Sequence, residues 1–121
     1  MPTPAMTVRV FSLYLFGLAA VLIFLPNLLF GLFGVPATTE VWVRVVGMMA
    51  GFLGYYYWRA SSAGFSEFYA WTIPVRLSVL VFFSAFVALD LAPPILLLFG
   101  AVDAAGAVWT LLAMRRVSSR A

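Results

Sequence analysis

Cysteine, histidine, lysine and glutamine are absent from this 121-residue chain, and Asn27 is its only side-chain amide. Without a thiol, disulfide exchange and quinone-linked disulfide formation have no starting atom. Without imidazole or thiolate, histidine-ligated haem, di-iron and ordinary zinc sites lack ligands, so no metal and no cofactor is expected. Charge is scarce as well: 9% of residues are charged, against about 25% in a soluble domain. Apolar residues make up 65% of the chain. Four membrane spans of about 20 residues would take about 80 positions and leave only tails and short loops. A separate soluble domain is therefore excluded, and residues 1–121 read as a single membrane domain with the lipid bilayer as its first partner.

Seven arginines stand against Glu40, Glu67, Asp90 and Asp103, giving a net charge of +3. The arginines are dispersed along the chain, whereas a nucleic-acid face needs a continuous basic surface. No nucleic-acid partner is expected.

The apolar runs predict an all-α, polytopic membrane four-helix bundle. The first span covers about 8–25 and is broken at Pro26-Asn27. A short run over about 27–34, punctuated by Gly31, Gly34 and Pro36, is too short to cross and reads as an interfacial helix. The first run also has the look of a signal peptide, but it is long, follows a single arginine, and lacks a convincing cleavage site. The second span covers about 38–59, with Thr38 or Thr39 as N-cap and Glu40 in the first turn. The third covers about 67–91 with Pro74 inside it, where a kink is expected. After Pro93-Pro94 the fourth runs over about 94–114.

In a four-span arrangement Arg9, Arg59, Arg115, Arg116 and Arg120 fall on one side, and the opposite loops carry only Glu40 and Asp90. The positive-inside rule then places both termini in the cytoplasm of a bacterial inner membrane. Tyr55, Tyr56, Tyr57, Trp58, Tyr69, Trp71 and Trp109 fall near the cytoplasmic interface and Trp42 near the outer one, as an aromatic belt requires. At an offset of 67, Val8-Arg9 matches Val75-Arg76 and Pro26 matches Pro93, a faint repeat of the kind duplicated hairpins leave.

Arg44, Arg76 and Asp103 lie at membrane depth, where a charge costs about 2.5–3.5 kcal/mol and must find a partner. Arg76 and Asp103 come out near mid-depth on adjacent antiparallel helices, which makes an ion pair reasonable. Arg44 lies one turn from Glu40 and is placed to pair with it or to reach toward Asp103. Arg44, Arg76 and Asp103, with Glu40 at the rim, form a candidate buried polar cluster. It is either a ligand site, net positive and suited to a negative or electron-rich group, or a structural device that sets helix pairing. Gly47, Gly51 and Gly54 form a close-approach stripe on the second span, and Gly100 begins a small-residue face on the fourth. Helix packing within one subunit is the plainer account of these glycines, and homodimerisation the other. Ser12, Tyr14, Ser78, Ser84 and Thr110 bond backbone carbonyls in this reading; none has the partners of a nucleophile, so no catalytic residue is expected.

The segments Leu25-Pro26-x-Leu28-Leu29-x-x-Leu32-Phe33-Gly34, Val43-Arg44-Val45-Val46-Gly47, Val75-Arg76-Leu77-Ser78 and Leu97-Leu98-Phe99-Gly100-Ala101-Val102-Asp103 resemble the small four-helix bacterial membrane proteins of the DoxX-like group. The resemblance implies a four-helix inner-membrane bundle, with some members acting as subunits or helpers of membrane oxidoreductases. The favoured function is a non-catalytic accessory or scaffold subunit of a larger membrane complex or homo-oligomer. The alternative is a lipophilic-ligand-binding protein or enzyme, with the arginines holding a polar head and Asp103 exchanging a proton. A small carrier ranks last, because the first span lacks the acidic residue that four-helix exporters use.

Overall fold

A computed structural model describes residues 2–120 of the chain, with side chains through Ser118. The described residues form five helices: α1 (Pro4–Phe24), α2 (Pro26–Leu32), α3 (Trp42–Ala63), α4 (Ser66–Ala88) and α5 (Ile95–Arg120). The side chain of Arg120, one of the flanking arginines, lies outside the described residues. By length and composition α1, α4 and α5 are apolar enough to cross a membrane. The chain is thus a small, all-helical integral membrane protein. The remaining long helix, α3, carries Arg44, three glycines and Tyr55-Tyr56-Tyr57-Trp58-Arg59, and this polar and aromatic content separates it from the other three.

Helix boundaries follow local capping chemistry. The first helix begins at Pro4, ahead of the expected Val8. Thr3 Oγ1 accepts the Met6 N–H at 3.1 Å, and Pro4 takes the first helical position, where a missing N–H costs nothing. Pro26 then ends α1 and starts α2, near the place expected of the interfacial segment. The third helix starts at Trp42 instead of Thr38. Thr38 Oγ1 accepts the Glu40 N–H at 3.1 Å, a local turn that competes with helix and leaves Glu40 outside the first turn. Helices α2, α3 and α4 close on a left-handed residue: Gly34 (φ 71), Gly64 (φ 66) and Asp90 (φ 57). In each, the next N–H bonds back to Phe30, Ala60 or Phe86, which satisfies a carbonyl that the helix end leaves open.

The chain divides into two compact units, residues 9–59 and residues 1–8 with 60–121. In the first, α1 and α3 run antiparallel. A Cβ on Gly47 would stand 2.8 Å from Leu22 Cβ, and one on Gly54 would stand 3.2 Å from Leu15 Cβ. In the other unit α4 and α5 pack together, with Gly100 against Leu80 and Phe83. All four predicted packing glycines, Gly51 against Ala19 included, meet helices of the same chain.

Burial is inverted relative to a soluble protein. The largest fully buried side chains are Arg76, Val8, Thr7, Thr110 and Ser12, while Phe24, Phe52, Phe82, Leu89 and Leu91 are exposed. Small and polar groups facing inward with large apolar groups facing outward is the arrangement lipid selects.

Candidate functional site

The polar interior of the second unit is built around Arg76, which is 2% exposed. Its Nη2 donates to Thr72 Oγ1 and to Thr110 Oγ1, both at 2.9 Å. Thr72 sits one helical turn before Arg76, so α4 itself supplies the first acceptor. The hydroxyl protons can be assigned by counting. Thr72 donates to Tyr69 O at 2.8 Å and Thr7 donates to Pro4 O at 2.7 Å. With the Thr7 proton committed, the 2.8 Å contact between Thr7 and Thr110 is donated by Thr110. These five bonds therefore point away from the guanidinium, through three threonines onto two backbone carbonyls. Such a one-directional chain strengthens each member by polarisation. The Arg76 Nε and Nη1 atoms are buried and make no hydrogen bond among the described residues.

Asp103 remains in Coulombic range of Arg76 but makes no hydrogen bond to it among the described residues. The α4–α5 register accounts for this. Gly100 against Leu80 and Thr110 against Arg76 put Asp103 and Arg76 level to within about one turn. Side chains on a helix lean toward its N-terminus, so on antiparallel helices two level residues lean apart. Arg76 leans back to Thr72 and Thr110. The expectation of level positions agrees with this register; the direct pair inferred from it is replaced by arginine–threonine bonds.

Arg44 belongs to the other unit, where its Nη1 donates to Ile23 O at the C-terminal end of α1. A cation there satisfies an open carbonyl and complements the helix dipole. Glu40 is exposed and forms no ion pair with Arg44 among the described residues. The four predicted cluster residues thus separate into Arg76 with Asp103 in one unit, and Arg44 and Glu40 in the other, joined there by no bond.

Two further polar roles, those of Tyr69 and Asn27, lay outside the sequence reading. The Tyr69 hydroxyl, 2% exposed, donates to Ala60 O at 3.1 Å and approaches Ser61 O at 3.4 Å, capping the end of α3. Tyr57, expected in the aromatic belt, is buried beside Phe11. Asn27 brackets the connection to α3: its Nδ2 donates to Thr38 O at 3.0 Å and its Oδ1 accepts the Thr38 N–H at 2.8 Å. The lone amide imitates a peptide group across the α2–α3 connection. Threonines at the i−4 position of Arg76 and seven residues beyond Asp103 were visible signals for the network; Tyr69 and Asn27 had none. Among the described residues no three His, Cys, Asp or Glu side chains come together.

Comparison with protein-family models, curated proteins and solved structures returns no match.

Proposed function

We propose that the chain is a four-span protein of the bacterial inner membrane, with both termini cytoplasmic, that acts as a non-catalytic accessory or scaffold subunit of a larger membrane complex or homo-oligomer. The observation that carries this reading is how the buried polar groups are used. Arg76, Thr7, Thr72 and Thr110 bond one another, while Arg44 and Tyr69 close helix ends. Polar chemistry is spent on holding helices together, beneath a broad apolar exterior. Support for α3 as the fourth span comes from its 22 residues, about 33 Å of helix, and from glycines that pack it along α1. The DoxX-like resemblance of the four segments agrees with this architecture. Native mass spectrometry of gently solubilised membranes tests the role. An assembly heavier than the 13.3 kDa protomer is expected, and a lone protomer under every mild condition refutes it.

A second reading follows from Asp103, which is half-buried in α5 and makes no hydrogen bond among the described residues. A carboxyl group in that position suits the donor of a lipophilic ligand. Asp103→Asn then abolishes retention of that ligand while the helices remain folded; unchanged retention eliminates the site.

A further inference from the structure

One outward face of α3 is ordered by chemistry along its length. Met48, Phe52, Tyr55 and Arg59 follow one another at spacings of four, three and four residues, which places them in one column. Met48 is 42%, Phe52 57% and Tyr55 54% exposed, and Arg59 is exposed. From Arg59 to Met48 the column measures about 16 Å at 1.5 Å per residue. Half the hydrocarbon core of a bilayer is about 15 Å. The sequence of groups is a cation, then a phenol, then two apolar side chains, ending at the depth of one leaflet.

The charged end is reinforced from α1. The antiparallel register set by Gly47 and Gly54 brings Arg9 level with Arg59, and the Arg9 guanidinium lies 4.4 Å from the centre of the Trp58 ring. Stacking on Trp58 fixes the position of that cation. Within residues 9–59 the only acidic side chain is Glu40, which precedes α3 at its opposite end. Two guanidinium groups thus share one end of this unit, and an apolar face of single-leaflet depth runs from it.

We propose that this face of α3 binds one anionic phospholipid, its phosphate and headgroup held by Arg59 and Arg9, its ester region beside Tyr55, and an acyl chain along Phe52 and Met48. Resting as it does on the reading of α3 as a membrane span, the site calls for a test that separates the two. Full-length protein in mild detergent is given equimolar phosphatidylglycerol and phosphatidylcholine with identical acyl chains, and bound lipid is counted by native mass spectrometry. Wild type retains phosphatidylglycerol in preference. Arg59→Gln and Arg9→Gln each reduce that preference roughly fivefold, the factor one interfacial arginine supplies. Arg59→Lys preserves it, and Arg115→Gln, a change outside this unit, leaves it intact. Equal retention of the two lipids by wild type overturns the site, whatever the folding of any variant. So does an equal loss in Arg115→Gln, which marks a general charge effect. Reporter fusions within residues 35–41 and at residues 64–65 distinguish the larger failure: matching compartments overturn α3 as a span, whereas opposite compartments without lipid preference overturn only the lipid site.

Discussion

A buried arginine needs acceptors more than it needs a counter-ion, and Arg76 finds them in hydroxyl groups. Thr110 links Arg76 to α1: it accepts from Arg76 and donates to Thr7. Thr110→Val removes both interactions and leaves a charged donor short of an acceptor, so it will lower stability by about 2 kcal/mol. Unfolding in detergent micelles followed by circular dichroism measures this. In a double-mutant cycle with Arg76→Met the two losses will not add, since each removes the same bond; additive losses would show that the bond contributes nothing. Asp103→Asn will cost less than Thr110→Val, because no hydrogen bond joins Asp103 to Arg76 among the described residues. A larger loss from Asp103→Asn would restore the ion pair as the organising contact.

At the scale of elements, the glycines of α3 set how closely it approaches α1. A Cβ on Gly47 meets Leu22 Cβ at 2.8 Å, Ile23 Cγ1 at 3.1 Å and Ala19 O at 3.2 Å. Gly47→Ala must therefore push the helices apart, at a cost of about 1–3 kcal/mol. Gly17 has no atom within 4 Å of the same added carbon, so Gly17→Ala will be neutral or stabilising by up to about 1 kcal/mol. Equal effects of the two substitutions on the melting temperature would refute the close-packing account. The α2–α3 connection depends on Asn27 in a similar way. Asn27→Ala deletes both bonds to Thr38, and hydrogen exchange over residues 33–41 will accelerate while α4 and α5 keep their protection.

For the whole molecule the decisive measurement is topology. Arg9, Arg59, Arg115 and Arg116 lie on one side of a four-span arrangement, so reporters fused after Arg120 and within residues 92–94 will report opposite compartments. Matching signals would show that α5 fails to cross and would eliminate the four-span architecture; fusions within residues 35–41 and at residues 64–65 test α3. That helix is where composition is least informative. Arg44 and the Tyr55–Arg59 run lower its apolar character, although its length and its packing on α1 suit a span.

Apolar runs, prolines and scarce charge determined the all-helical membrane class, the break at Pro26 and the approximate extent of α4, because lipid demands long apolar helices and proline lacks an N–H. Helix starts at Pro4 and Trp42 were decided by the Thr3 and Thr38 hydroxyls, whose local bonds no hydropathy pattern reports. The partners of the buried polar groups were decided by tertiary structure alone. Level positions on antiparallel helices invite a pairing of Arg76 with Asp103, but the Arg76 guanidinium bonds the Thr72 and Thr110 hydroxyls. Arg44 and Tyr69 likewise bond carbonyls exposed by helix ends. A side chain's type is written in the sequence, whereas the acceptor it reaches depends on helix register and on where neighbouring helices end.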